Sequence, residues 1–171
     1  NQRLIGISIE VPPPFAQELT SARASFGDPL AYAIPPHITL LGPTVVNDAD
    51  LDMIRDHILG VTARAVPFRL HLRGTATFRP VTPVVFIQVV QGIPDCESLE
   101  RTVRSGPLEV PIRFNYHQHV TIAHEVDDAA LDRAFAEMNS YEAVFQVNKI
   151  HLFEHGKDQV WRPVSSFVLG S

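Results

Sequence analysis

The chain has 171 residues, 45% hydrophobic and 19% charged, a balance that suits a folded globular protein and excludes a disordered one. Its 14 Lys and Arg against 19 Asp and Glu leave a net charge of −5, which argues against coating long nucleic acid but allows a small anion in a locally basic cleft. A single cysteine, Cys96, excludes an intrachain disulfide, and no apolar run approaches the roughly 20 residues of a membrane span, so a cytoplasmic protein without a membrane partner is expected.

Residues 4–11, LIGISIEV, predict a strand that the run Pro12-Pro13-Pro14 ends. Phe15, Leu19, Ala22 and Phe26 recur at helical spacing, giving a helix over 15–26 closed by Gly27-Asp28-Pro29. An apolar strand around His37 follows and is expected to stop at Gly42-Pro43. Asn47 or Asp48 can cap a second helix with Leu51, Ile54, Ile58 and Leu59 on its inner face. Strands are predicted over 67–78 and 83–91, joined by a hairpin loop at Arg79-Pro80-Val81-Thr82. A helix near 94–105, a strand at His119, a helix over 127–138 starting at Asp127-Asp128, and strands near 143–154 and 158–169 complete the chain.

This order contains a repeat. The interval from residue 4 to His37 nearly matches that from residue 83 to His119, and "HITL" at 37–40 is echoed by "HVTI" at 119–122. The expected organisation is therefore one domain, 1–171, made of two intertwined lobes that each contribute a His-x-Thr strand. About 0.1 such tetrapeptides, with apolar residues at the other two positions, is the chance expectation, whereas two occur.

Alternation along a strand puts His37 and Thr39 on one face and Ile38 and Leu40 on the other, and does the same for His119 and Thr121 against Val120 and Ile122. Two such faces across a cleft form a four-group cage suited to a tetrahedral anion. Phosphodiester cleavage needs a base for the attacking oxygen and an acid for the leaving one, and imidazole with its pKa near 6.5 can fill either role. The threonine hydroxyls would donate to the non-bridging oxygens. His117, His119 and His124 are an alternative set of metal ligands, but parity puts His124 on the opposite face, so no metal site and no cofactor is expected.

With their surroundings these motifs resemble the 2H phosphoesterase superfamily, and within it the 2′-5′ RNA ligase-like proteins related to 2′,3′-cyclic nucleotide phosphodiesterases. The resemblance rests on "PPHITLLGP" (35–43), "GTATFRPVTPVVFIQV" (74–89), "YHQHVTIAHEV" (116–126) and the closing "HLFEH" and "VWRPVSSFVLG" segments. It implies an α+β fold: a bilobal, pseudo-symmetric LigT-like architecture with antiparallel sheets lining a central cleft and helices outside. It also implies a metal-independent phosphodiesterase acting on a 2′,3′-cyclic phosphate or 2′-5′ linkage of a nucleotide or RNA end, with reversible RNA ligation as an added activity. His37 and His119 carry over as the catalytic pair, in an order the sequence leaves open, and Thr39 and Thr121 as phosphate-binding residues. The chain departs from the family pattern at Gln118, where proline is frequent, and at His124, where arginine is frequent.

Phe78, Arg79 and Tyr116 are further cleft candidates, the two aromatics for base stacking and Arg79, with Arg73, Arg162 and Lys149, for positive potential. A monomer is expected. Two other functional classes stay open: a nucleotide or RNA-end binding module without turnover, and a metal-dependent hydrolase.

Overall fold

A computed structural model describes residues 1–112 and 114–170. Eight strands and four α-helices follow one another along the described chain: β1 (Gln2–Glu10), α1 (Phe15–Ser25), β2 (His37–Asn47), α2 (Leu51–Ala63), β3 (Phe68–Thr77), β4 (Val84–Gln91), α3 (Ile93–Val103), β5 (His119–His124), α4 (Asp128–Glu137), β6 (Glu142–Val147), β7 (Lys149–His155) and β8 (Trp161–Val168). They build two four-stranded antiparallel sheets, ordered β2-β1-β7-β8 and β5-β4-β3-β6. The two orders correspond place for place. Each motif strand is an outer strand and each repeat's leading strand, β1 or β4, lies beside it, so the expected α+β fold with internal pseudo-symmetry is present.

Burial explains how the sheets face each other. Ile5, Ile7, Ile9, Ile38, Leu40, Ile150 and Leu152 of the first sheet join Leu70, Leu72, Val85, Ile87, Val120 and Ile122 of the second in one buried apolar cluster. Each such side chain contributes about 1.5–3 kcal/mol relative to exposure, so these alternating apolar positions orient both sheets. The helices are exchanged between the repeats: α1, which follows β1, packs on β5, and α3, which follows β4, packs on β2. The two motif strands β2 and β5 contact each other directly.

Four sequence expectations need correcting. Gly42-Pro43 does not stop the second strand, which runs on to Asn47; β2 is an edge strand, where a missing N–H costs no ladder bond. Leu59 points to solvent at 51% exposure while Ile54, Ile58, Val61 and Thr62 are buried, because the buried stripe follows the i, i+4, i+7, i+8 spacing from Ile54 and Leu59, at i+5, falls on the far side of the helix. Neither Asn47 nor Asp48 caps α2 through its side chain; a short 3₁₀ turn at Asp48–Asp50 precedes that helix instead. The strand expected over 143–154 is two strands, since the chain crosses at Asn148 from β3 in one sheet to β1 in the other. Asp127 does cap α4, its carboxylate accepting from the Ala130 amide at 2.8 Å.

Candidate active site

The motif residues sit on equivalent ladders. Ser8 lies opposite Thr39 and Glu10 opposite His37 on β1 and β2, while Phe86 lies opposite Thr121 and Gln88 opposite His119 on β4 and β5. In both motifs the His and Thr are partly exposed and the intervening apolar residue is buried. Immediately after each motif the ladder slips. Ser8 pairs with Thr39 but Ile7 with Leu41, and Phe86 pairs with Thr121 but Val85 with Ala123, so Leu40 and Ile122 are the extra residues of two matching bulges. A bulge reverses the alternation beyond it. His124 thereby turns onto the cleft side and joins Thr121 there instead of facing away as strand parity predicts.

Both imidazoles are held in the same way. His37 Nδ1 lies 2.8 Å from the carbonyl of Pro35, and His119 Nδ1 lies 2.7 Å from the carbonyl of His117, two residues back in each case. A carbonyl only accepts, so each Nδ1 donates and each Nε2 is left as the working nitrogen, a lone pair when the ring is neutral. Neither Nε2 has a protein partner among the described residues, and the one buried unpartnered side-chain nitrogen there belongs to His151, so both Nε2 atoms are open to the cleft. Burial pushes His37 down to about 4, with Arg23 and His119 adding positive charge nearby. Burial also lowers His119, helped by His117.

Two cavities meet at these residues. One, of about 210 Å³, is lined by Ser8, Arg23, His37, Thr39, Thr121 and His124. The other, of about 560 Å³, is walled by Phe78, Val84, His117, His119, Thr121 and His124. Thr121 and His124 belong to both, so the cavities adjoin, and the four candidates His37, Thr39, His119 and Thr121 are brought to one cleft. The larger cavity has an aromatic wall. The Phe78 ring stands edge-on to His119 and to His117, at 5.0 and 5.4 Å, and contacts Phe86 at 4.4 Å.

The remaining candidates lie elsewhere. Tyr116 packs on the apolar core, lines neither cavity, and donates its hydroxyl to the Thr39 carbonyl. Arg79 pairs with Asp132 at 2.9 Å and reaches toward Asp128, outside both cavities. Arg162 is paired with Asp158, Arg73 is exposed opposite Glu142, and Lys149 lines a separate pocket with Glu10 and His151. Cys96 is buried, which pushes its thiol up to about 12 and keeps it a thiol. Among the described residues no three His, Cys, Asp or Glu side chains converge as a metal would need. Sequence reading missed Arg23, the cation that does line the first cavity. The available signal was a charged residue on the inner stripe of α1, between Leu19 and Phe26.

The family model of the 2′-5′ RNA ligase superfamily matches residues 11–159. The chain belongs to that superfamily, a branch of the 2H phosphoesterases. Among curated proteins it is 25% identical over 145 residues, 84% of each chain, to Bacillus cytotoxicus and Bacillus cereus proteins named provisionally as phosphoesterases. Among solved structures, E. coli LigT complexed with 3′-AMP superposes over 100% of both chains with a TM-score of 0.78 at 16% identity. A Thermus thermophilus protein superposes over 98% of both chains with a TM-score of 0.63 at 18% identity. The fold of this superfamily member is thus LigT-like, and no helix among its described residues is long and apolar enough to cross a membrane.

Proposed function

We propose that this 2′-5′ RNA ligase superfamily member hydrolyses a 2′,3′-cyclic phosphate, or cleaves a 2′-5′ phosphodiester, of a nucleotide or RNA end without a metal ion. The observation that carries the reading is the matched pair of Nδ1 locks, which leaves two open Nε2 atoms, one per repeat, at one cleft. One imidazole takes the proton of an attacking water as its oxygen bonds to phosphorus. The other gives its proton to the 3′ oxygen as the P–O3′ bond breaks, leaving a 2′-phosphate. The Thr39 and Thr121 hydroxyls donate to the non-bridging oxygens as their charge grows. With a 5′-hydroxyl in place of water as the attacking group, the same step would join two ends through a 2′-5′ linkage, and its reverse would cleave that linkage back to the cyclic phosphate.

The nucleotide complexes of LigT support the substrate class, and the wall that Phe78 and His117 form in the larger cavity supports a base beside His119. In this reading the chain works as one two-lobed unit. The test is incubation of the protein with EDTA and each 2′,3′-cyclic mononucleotide, beside His37→Ala and His119→Ala. Turnover to a 2′-phosphate that both variants lose is the expected result; turnover surviving in either variant, or requiring added metal, would sink it.

A further inference from the structure

Arg23 is among the least accessible charged residues of the protein, 7% exposed on the inner side of α1. Its Nε donates at 2.7 Å to Asp28 Oδ2, whose side chain is fully shielded. The same carboxylate accepts from the amide of Leu30 at Oδ1 and from the amide of His124 at Oδ2, both at 2.8 Å. Asp28 therefore ties together the helix, the loop after it and the end of β5, and holds the guanidinium from behind.

The guanidinium is only partly used by that grip. Nη1 and Nη2 have no protein partner among the described residues, and since the one buried unpartnered nitrogen there is His151 Nδ1, both are open to the cavity Arg23 lines with His37, Thr39 and Thr121. With Nε held by Asp28, the two Nη groups remain as charge-assisted donors to an anion in the cavity. A guanidinium's parallel N–H groups match two oxygens of a phosphate.

Extending the phosphoesterase reading, we infer that Arg23 is a substrate-binding residue whose two Nη groups hold the phosphoryl oxygens between the two motif strands, with Asp28 as the residue that positions it. The resident group is a phosphate ester, and the product monoester, carrying more charge than the diester, is held more tightly than the substrate.

The test uses inorganic phosphate, titrated into the wild type, Arg23→Lys and the paired variant Arg23→Gln/Asp28→Asn, with thermal melting of each. The paired variant removes both charges so that no lone carboxylate stays buried. It should melt cooperatively and bind phosphate at least tenfold more weakly, and Arg23→Lys, which keeps the charge without the fork, should fall between. Phosphate binding within twofold of wild type in a folded paired variant would overturn the inference. If that variant fails to fold, Arg23→Lys decides: a loss of threefold or more supports the fork, and wild-type affinity refutes it. Cyclic nucleotide turnover measured alongside separates the two readings. Arg23-dependent phosphate binding without wild-type turnover keeps this inference and sinks the enzymatic one; turnover with an indifferent paired variant does the reverse.

Discussion

The hydroxyl of Tyr116 donates a 2.8 Å hydrogen bond to the backbone carbonyl of Thr39, joining the approach to the second motif to the middle of the first. Burial raises the Tyr116 phenol, so it stays a neutral donor throughout the ordinary pH range. Tyr116→Phe keeps the ring packed and removes only this bond. The expected cost is about 1 kcal/mol of stability. Turnover should fall more than nucleotide affinity, because the two motif strands are no longer pinned. Urea melts and steady-state kinetics on the same preparation check this, and unchanged turnover would make the bond merely structural.

His37 should make the protein acid-sensitive in a definite window. Its folded pKa of about 4 lies below the usual 6.5. Between those values the unfolded chain binds the extra proton. Stability is therefore fully present above about pH 6.5 and drains away toward pH 4, by about 3 kcal/mol at most. His119 is shifted in the same direction. Urea melts at pH 7, 5.5 and 4.5 should show a shallower loss in His37→Gln than in wild type.

Phosphate should reverse that depression. An anion beside the two rings stabilises the imidazolium form, so both titrations should move upward when phosphate is bound. Proton NMR of the imidazole ring, followed against pH with and without phosphate, reads this directly. Rings that titrate identically in both conditions would place the anion elsewhere.

Thr39→Val and Thr121→Val each exchange a hydroxyl for a methyl on a strand face that favours β-branched residues. Melting should change little. The rate of cyclic phosphate hydrolysis should drop by about a hundredfold to a thousandfold in each, the range seen when one donor to a developing oxyanion is lost. A variant that loses substrate affinity with its turnover rate intact would make that threonine a ground-state contact only.

Phe78→Ala removes the ring edge facing His119 and opens the wall of the larger cavity. The loss of a stacking surface should raise KM for cyclic nucleotides roughly tenfold with little effect on inorganic phosphate binding. Equal losses for both ligands would mean that Phe78 positions His119 instead.

The two His-x-Thr strands, their repeat and the hairpin between 78 and 84 were legible because they are local: alternation, turn residues and recurrence are written in consecutive residues. Partner choice is not local. Nothing in the apolar run around Asn148 says that β6 joins one sheet and β7 the other. The bulges were equally hidden, although the doublets Leu40-Leu41 and Ile122-Ala123, each breaking alternation just after a threonine, are their trace. Missing them put His124 on the wrong face. Arg23 was not legible because a charged residue on the apolar stripe of α1 reads locally as an exposed one, and its partner Asp28 lies beyond the helix end. Tyr116 read as a stacking ring because its partner, Thr39, is 77 residues away.

The sheet that carries His37 is drawn from both ends of the chain, since β1 lies between β2 and the much later β7. On the ribosome the β1–β2 ribbon must wait, with its inner edge of amides and carbonyls unpaired, until residues 149–155 have emerged. An open edge of this kind is a template for pairing with other chains. Synthesis is then a vulnerable stage of this protein's life: the first motif is made well before the strand that completes the sheet carrying it.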